Sequence, residues 1–267
     1  AHEPVKRVSV PKTDGGTRAL GLLDSRDYLM EKSLQLMLTP ILDRMLEPAA
    51  VGYRRGKSPF VVRRQIVEAY RRGYRYVLES DIEQFFDDIP WAKLREVLEG
   101  LFPQADIRTK ALLAQCYEAP VNVSGRVVQR GGGVVQGSPL SPLLSNVYLD
   151  GFDEAMDQRG FLLIRYGDDF LVLAKEREEC QRALKAAQEL LRPLGLTLNE
   201  DKTAVVRFDE GFSFIGLHFG QSLDEEMVDH VALRKTVFIQ QQYCFLGTDG
   251  DTIQVKKGGE LLARLPM

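Results

Sequence analysis

Runs of apolar residues separated by turn signals divide the central part of the chain into short strands. Residues Phe161 to Lys175 read FLLIRYGDDFLVLAK, so two apolar runs flank the tetrapeptide Tyr166-Gly167-Asp168-Asp169. This pattern predicts a tight β-hairpin, with Gly167 where a positive φ is needed and two carboxylates at the tip. In isolation, such a tip is equally well explained as a solvated polar turn.

A second β-rich run, Tyr74 to Asp81 (YRYVLESD), also ends in an acid. If this strand lies beside the hairpin in one sheet, the carboxylates of Asp81, Asp168 and Asp169 meet at the same edge. Three acids at one point repel one another unless divalent cations neutralise them, and oxygen ligands suit magnesium. The strand pattern therefore predicts a magnesium site.

Apolar residues that recur with a helical period predict several helices around these strands. The predicted helices are Arg26 to Met45, with a break or kink at Pro40, Phe60 to Arg72, a helix from Pro90 to Gly100, a helix opened by Ser138 to Pro142, and Glu176 to Leu191. The other predicted strands are Val8 to Leu23, a hairpin turning at Asp14-Gly15-Gly16, then Val121 to Arg130, Val134-Val135, Ala204 to Phe208 and Phe212 to Phe219. From Tyr74 onward, the β-α-β-β-α-β order predicts an α+β fold with helices on one face of the sheet.

The C-terminal stretch Val237 to Pro266 has a different pattern, with short alternating runs separated by turns at Gly247 to Asp251 and Lys257 to Glu260. These features predict antiparallel strands. Because a single hairpin is only marginally stable, we expect these strands to need others from beyond Met267 or from another subunit. The chain is then expected to be incomplete.

Composition places the chain among ordinary globular proteins, with 44% hydrophobic and 27% charged residues in 267. No apolar run approaches the roughly 20 residues needed to span a bilayer, so we expect a cytoplasmic protein with no membrane partner. The three cysteines, Cys116, Cys180 and Cys244, are widely spaced. Their number and spacing indicate reduced packing residues rather than disulfides or a zinc site.

The net charge of -3 conceals a basic block between Val51 and Arg75, which contains eight cations against the single acid Glu68. A charge run is commonly a solvated face, but one beside an acidic metal site suits an enzyme that acts on phosphodiesters. Gly52 to Ser58 resembles a phosphate-binding P-loop but has three residues between its glycines instead of four, and no strand precedes it. We therefore reject a nucleotide hydrolase and interpret the basic residues as nucleic-acid contacts.

Two further segments carry candidate binding groups. Lys12 and Arg18 would face one another across the first hairpin, where they either grip a triphosphate or are solvated charges beside a turn. The sequence Gln136-Gly137-Ser138-Pro139 is either a capped helix start or a place where a base pair approaches the backbone of Gly137 while Gln136 reaches a nucleotide. The three histidines lack partners at catalytic spacing, which gives little support to histidine chemistry.

Five stretches in this order resemble the reverse transcriptase family, most closely its bacterial branch of group II intron and CRISPR-associated enzymes. They are VPKTDGGTRALG, VGYRRGKS, LESDIEQFFDDI, GVVQGSPLSPLLSNVYLD with IRYGDDFLV, and LNEDKT with FSFIGLHF. The resemblance implies right-hand polymerase fingers over residues 1–73 and a palm over 74–219 that includes a fingers insertion and the primer grip. A linker over 220–236 and the start of an integrase-like β-domain over 237–267 would follow.

The same resemblance implies a role for individual residues. Asp81, Asp168 and Asp169 would be the catalytic carboxylates, with the Ile82 carbonyl as a further metal ligand and Lys202 as a proton donor to departing pyrophosphate. Two Mg²⁺ ions would bind there, and Mn²⁺ can substitute. The remaining implied contacts are Lys12, Arg18, Ile82, Phe86, Gln136 and Gly137 for the nucleotide, and Arg54, Arg55, Lys57, Phe214 and Gly216 for nucleic acid, the last two in a primer grip over Phe214 to His218.

The implied activity is RNA-directed DNA synthesis from deoxynucleoside triphosphates on a primed RNA or DNA template, in CRISPR spacer acquisition from RNA. The tail resembles the beginning of the CRISPR spacer integrase and not a three-helix thumb, so the implied partners are that integrase domain and its small dimeric partner. Gly167 stands where intron enzymes commonly have alanine, and Arg55 where they have proline. These departures weaken an intron-encoded interpretation and leave the polymerase chemistry untouched.

Four alternatives compete with this interpretation. One is a free-standing reverse transcriptase of the group II intron or retron type. An RNA-dependent RNA polymerase is disfavoured by Phe86, because an aromatic ring there would clash with a ribose 2′-hydroxyl. An RNA-recognition sheet would present exposed aromatics and would not need three converging acids. A nucleotide cyclase would need neither Gln136-Gly137 nor the basic block.

Overall fold

The structure is a computed structural model that describes residues 2–11, 17–102 and 107–220, together with the backbone of three strands nearer the C-terminus. The chain forms two compact units, Ala1–Gln221 and Ser222–Met267. None of the described helices is both long enough and apolar enough to cross a lipid bilayer.

The first unit alternates strands and helices. In chain order its elements are β1 (Val5–Pro11), β2 (Thr17–Leu22), α1 (Ser25–Leu42), α2 (Pro59–Arg71), β3 (Tyr76–Asp81), α3 (Phe85–Asp88), α4 (Trp91–Leu101), α5 (Ile107–Tyr117), β4 (Val121–Val123), β5 (Arg126–Val128), α6 (Ser141–Gln158), β6 (Leu162–Tyr166), β7 (Asp169–Ala174), α7 (Arg177–Leu191), β8 (Ala204–Arg207), β9 (Phe212–Phe214) and β10 (Leu217–Phe219).

The central sheet has the strand order β6-β7-β3-β8, and all of its neighbouring strands are antiparallel. Tyr166 pairs with Asp169 across a two-residue turn in which Gly167 has φ 72°. Asp81 is paired with Asp169 on the next strand. The predicted acidic hairpin and its predicted neighbour are therefore both confirmed.

Helices α6 and α7 pack on one face of this sheet and form the main core with it. Phe170 and Phe152 meet edge to face with their ring centroids 5.7 Å apart. Leu78 and Val172 of the sheet and Ala187 of α7 belong to the same buried cluster. Full burial of a large apolar side chain contributes roughly 1.5 to 3 kcal/mol, so this layer fixes the positions of the strand ends that carry the acids.

A second sheet, in the order β2-β1-β4-β5, lies near the N-terminus. Strands β1 and β2 form the predicted hairpin, with Val10 opposite Arg18 and Pro11 opposite Thr17. The turn at residues 12–16, with Lys12, lies outside the described residues. The N–H of Gly21 donates to the Gln136 carbonyl at 2.6 Å, which joins this sheet to the segment before α6.

The structure corrects three of the predicted elements. Helix α1 runs through Pro40 to Leu42, so Pro40 does not break it; a proline in the last turn removes only one intrahelical hydrogen bond. Residues 212–219 form a hairpin of β9 and β10 rather than one strand, because Ile215 and Gly216 both adopt positive φ. Val134-Val135 is not part of a strand, and helix α5 was not predicted.

The apolar face predicted for α1 is only partly buried. Leu42 lies in the core, whereas Leu29, Met37 and Ile41 are exposed. The fully buried Glu31 takes part of the inward face because it pairs with His2. Periodicity could not reveal this exchange, since the partner lies far away in sequence.

The second unit contains β11 (Cys244–Asp249), β12 (Thr252–Lys257) and β13 (Glu260–Pro266). They form an antiparallel sheet in the order β11-β12-β13, with Asp249 opposite Thr252 and Lys257 opposite Glu260. The predicted antiparallel strands are therefore confirmed from Cys244 to Pro266, and the first residues of that prediction, 237–243, lie outside the described residues.

Candidate active site

Two strand ends and one turn bring the candidate catalytic acids together. Asp81 is the last residue of β3 and is buried, while Asp169 is the first residue of β7 and is exposed. Asp168 lies in the turn between β6 and β7, and its carbonyl accepts a hydrogen bond from the Ile82 N–H at 3.2 Å. The chain thus joins the three residues at one corner of the sheet.

The electrostatics of this corner are those of crowded acids. Removal of water by surrounding protein atoms, the charge of Asp168 and a hydrogen bond with Asp81 raise the pKa of Asp169 to about 7. The residue nevertheless keeps an exposed surface, so solvent reaches the site. A cation near these carboxylates would relieve the repulsion that raises the pKa.

Lys202 is the positive group of the site. It lies in a single helical turn, Glu200–Lys202, in which the Asn199 side chain accepts from the Asp201 N–H. The Asn199 N–H donates to the Asp81 carbonyl at 2.8 Å, which ties this turn to the end of β3. Lys202 Nζ therefore reaches Asp81 Oδ2 at 3.1 Å.

The protonation state of Lys202 follows from this position. Partial burial lowers the pKa of Lys202, but the hydrogen bond to Asp81 and the charges of Asp81, Asp169 and Asp168 outweigh it and raise the pKa overall. The amine is therefore held as a cation. Its side chain is 57% exposed, so it remains accessible to a bound anion.

The donors present are of the type that Mg²⁺ requires, although they do not form a ready-made cage. Within the described part of the chain, no group of three or more His, Cys, Asp and Glu side chains is arranged to hold a metal ion. Asp81 and Asp169 do interact directly, and they supply only oxygen ligands. Two hydrogen bonds join residues 81–83 to residues 197–199: the Glu83 N–H donates to the Thr197 carbonyl, and the Asp81 carbonyl accepts from the Asn199 N–H. The Ile82 carbonyl takes no part in either of them.

The segment before α6 uses its glycine for close contact with the N-terminal sheet. Gly137 has φ 115°, and a Cβ there would collide with the Gly21 carbonyl. Ser138 Oγ accepts from the N–H groups of Leu140 and Ser141, and it donates to Glu31. Leu140 is the N-cap residue of α6 and its side chain makes no cap hydrogen bond, so the predicted side-chain cap of this helix is wrong. The bare backbone of Gly137 is in close contact with Gly21.

The backbone of Phe86 is in close contact with Gly133, the last residue of the glycine run Gly131 to Gly133. It is half-buried, and its ring meets that of Phe85 with the centroids 5.6 Å apart. The Val134 N–H donates to the Phe86 carbonyl at 2.6 Å, and a Cβ on Gly133 would lie 2.7 Å from that same carbonyl. The contact of Gly133 with residues 86 and 87 was not predicted from the sequence.

The structure contradicts the nucleic-acid role predicted for Arg54. Its side chain is 9% exposed and forms an ion pair with Asp43, with Nε 2.7 Å from Oδ1. The guanidinium also donates hydrogen bonds to the carbonyls of Asp43, Glu47 and Ala50. A guanidinium with these partners closes the C-terminal end of α1 and does not face a phosphate. Arg55 is exposed and Lys57 is half-buried, so both remain accessible.

The predicted primer grip is the turn between β9 and β10. Phe214 is 6% exposed and packs inward, so its ring cannot stack on a base. Gly216 has φ 77°, and a Cβ there would meet nothing within 4 Å. Any contact with nucleic acid would come from this open backbone. The side chain of Arg18, like all of Lys12, lies outside what the structure describes.

Sequence reasoning missed Arg165, although the signal was present. A single arginine interrupts the apolar run FLLIRY, and the structure buries it completely beneath the acidic turn. Charged groups are buried only when they are paired, so a lone charge in an apolar strand is itself an indication of a buried partner.

The class that these elements define is a fold of right-hand fingers and palm. The structure of telomerase from Candida albicans, in complex with a fragment of telomeric RNA, matches it with a TM-score of 0.64 and 18% identity, over 82% of this chain and 45% of the other. At that identity the likeness concerns the fold alone. The first unit therefore has the mixed helices and sheets of right-hand fingers and palm.

Residues 10–219 match the family described as reverse transcriptase (RNA-dependent DNA polymerase), and the chain belongs to that family. Protein YkfC of Escherichia coli is 26% identical over 80% of this chain and 66% of its own length. The retron Mx65 reverse transcriptase of Myxococcus xanthus is 28% identical over 77% of this chain and 50% of its own. The chain thus spans less than two thirds of the length of either relative.

Proposed function

We propose that the protein is an RNA-directed DNA polymerase that adds deoxynucleotides to a primer 3′-hydroxyl on an RNA or DNA template. The observation that carries the proposal is the pairing of Asp81 with Asp169 at one sheet corner, beside Asp168 and the cationic Lys202. In-line nucleotidyl transfer needs acids from separate strands at one point and a donor for the leaving group.

Asp81, Asp168, Asp169 and the Ile82 carbonyl would hold two Mg²⁺ ions, for which Mn²⁺ can substitute. When bound, such ions activate the attacking hydroxyl and stabilise the leaving oxygen. Lys202 is protonated and within reach of a leaving pyrophosphate, because its Nζ lies beside Asp81 and is largely exposed. Its role would be to donate that proton as the phosphodiester bond forms.

Other residues would position the substrates. Phe86 would exclude a ribose 2′-hydroxyl, and Lys12 and Arg18 would bind the triphosphate. Gln136 and Gly137 would lie on the nucleotide side, Arg55 and Lys57 along the template-primer backbone, and the turn at Gly216 against the primer. Lysine and arginine contacts of this kind position a nucleic acid without reading its sequence.

For the biological setting, we propose CRISPR spacer acquisition from RNA, with an integrase domain and its small dimeric partner. The second unit supports this setting, because the residues that the structure describes in it form strands, whereas a complete polymerase of this family would carry a helical thumb. A free-standing enzyme is the second candidate, and the similarity to a retron reverse transcriptase favours it. The mass of the native chain and its co-purification with the integrase pair decide between them: a native chain ending at Met267 that binds neither would leave the free-standing enzyme.

Primer extension tests the activity itself. The assay crosses RNA and DNA templates with deoxy- and ribonucleoside triphosphates, with Mg²⁺ or Mn²⁺ and with EDTA as the blank. We expect deoxynucleotide addition on an RNA template that EDTA abolishes. Extension by ribonucleotides alone would replace the proposal with an RNA polymerase, and no extension with any pair would remove it.

A further inference from the structure

A fully buried ion pair lies directly beneath the acidic turn. Arg165, the penultimate residue of β6, and Asp153, in the last part of α6, both have 0% exposure. The guanidinium fork binds the carboxylate through Nε at 2.7 Å from Oδ1 and through Nη2 at 2.5 Å from Oδ2. A bidentate pair of this kind fixes the orientation of the guanidinium plane as well as its position.

The third nitrogen of the guanidinium points at the turn. Arg165 Nη1 donates to the Gly167 carbonyl at 2.9 Å and to Asn146 Oδ1 at 3.0 Å. Gly167 immediately precedes Asp168, so its carbonyl belongs to the peptide group that links the two residues. The hydrogen bond from Arg165 therefore fixes the backbone next to Asp168. Asp153 and Asn146 both belong to α6, so the turn is anchored to that helix.

A second contact supports the turn from the side. The segment Ala49 to Gly52 runs parallel to β6: Arg165 N–H donates to the Ala49 carbonyl at 2.8 Å, and Val51 N–H donates to the Arg165 carbonyl at 2.8 Å. Asn146 Nδ2 donates to the Gly52 carbonyl at 2.8 Å. A Cβ on Gly52 would lie 2.7 Å from the Gly167 nitrogen, so the two backbones are in close contact.

We infer that Arg165 and Asn146 are positioning residues for the catalytic turn, an inference that rests on the proposed polymerase function. A purely structural ion pair would need only Asp153. Here the hydrogen bonds of Nη1 and of Asn146 reach both the turn and the segment beside it. Catalytic groups must be held within about 0.5 Å of the productive geometry by neighbours that are themselves fixed, and this network provides such neighbours.

Three variants separate positioning from stability. Arg165→Lys keeps the charge but has one nitrogen in place of the fork, so it cannot hold Asp153, Asn146 and Gly167 together. Asn146→Ala is the milder change and serves if the lysine variant does not fold. Met156→Ala is the matched control, because Met156 is fully buried on the same helix but contributes only apolar contacts.

The first readout uses the full chain without nucleic acid or metal. We expect amide hydrogen exchange over residues 166–169 to accelerate about tenfold or more in Arg165→Lys or Asn146→Ala, while Met156→Ala leaves the turn as in the parent. Exchange at the β3 and β8 pairing should stay unchanged in all three. Parent-like exchange of the turn in both network variants would overturn the inference.

The second readout is steady-state primer extension. We expect kcat to fall about tenfold or more in the network variants, with KM for the nucleotide within about twofold, because the loss concerns geometry at the reacting groups and not binding. A kcat equal to that of Met156→Ala would also overturn the inference. If the parent chain extends no primer, the proposed function fails on its own, and the exchange experiment still decides the positioning role.

Discussion

The acids of the site and two nearby arginines are held by partners that lie elsewhere in the chain: Asp81 pairs with Asp169, Arg54 with Asp43 and Arg165 with Asp153. The sequence predicted that Asp81, Asp168 and Asp169 meet, because they lie at the ends of neighbouring strands or in the turn between them, and the structure brings them together. Their catalytic role stays a prediction. Arg54 was assigned wrongly, because an arginine that binds carbonyls at a helix end has the same local sequence as one that binds phosphate. The role of Arg165 was missed because its partner Asp153 lies on a different element, so no local pattern links the two residues.

At the same scale, Phe86→Ala should raise ribonucleotide incorporation relative to the parent. Removing the ring turns steric exclusion of a 2′-hydroxyl into a tolerated contact, which is worth about 1 to 3 kcal/mol of discrimination. The measurement is the ratio of kcat/KM for matched deoxy- and ribonucleotides. Phe60→Ala, which removes a 47% exposed ring, is the control. Unchanged discrimination in Phe86→Ala would assign the sugar gate to another residue.

His2 should make folding stability depend on pH. Burial lowers the pKa of His2, but its hydrogen bond to Glu31 and the charge of Asp27 outweigh this and raise the pKa above 6.5. The stabilising contribution is then fully present below about pH 6.5 and is lost as the pH rises through the higher pKa of the folded state. Chemical denaturation across this range should show that His2→Gln loses more stability at pH 6 than at pH 8.5. An equal loss at both values would contradict the ion pair.

At the scale of elements, the sequence predicted the palm hairpin and its order correctly because each strand has its own period and turn signal. It failed at β9 and β10, since alternation continues on both sides of a turn and Phe212 and Phe219 end up stacked on one another. The packing of Gly137 on Gly21 could not be predicted from the sequence either, because that contact joins segments far apart in the chain.

Two glycines of the same region should respond oppositely to alanine. Gly137→Ala should destabilise the protein, because φ 115° is unfavourable for a side chain and the added Cβ would collide with the Gly21 carbonyl. Gly151→Ala should stabilise it by about 0.5 to 1 kcal/mol, since Gly151 is an exposed residue within α6 whose added Cβ would meet nothing within 4 Å. Thermal unfolding measures both. Equal effects would remove the structural reason given for Gly137.

At the scale of the whole molecule, the resemblance of five ordered motifs to reverse transcriptases implied a fingers and palm fold, and the family match agrees with it. The second unit was predicted as strands from its turns alone, and its strands pair as expected. What those strands pack against stays a prediction. Hydrogen exchange should show β11 to β13 exchanging faster than β3 in the isolated chain, with protection restored by the integrase partner. Equally slow exchange in both units would mean that the second unit is stable alone.

Metal-dependent primer extension by Asp81→Ala and Asp168→Ala tests whether these acids hold the metal ions of a polymerase site. Asp201→Asn is the control. Asp201 is an exposed acid beside Lys202, so its change alters the local charge without removing a proposed ligand. Loss of a ligand removes several kcal/mol of transition-state stabilisation, so we expect synthesis to fall about a thousandfold or more in both variants. Circular dichroism should show an unchanged fold, and Asp201→Asn should extend primers normally. Near-normal synthesis by both folded alanine variants would contradict the proposed site.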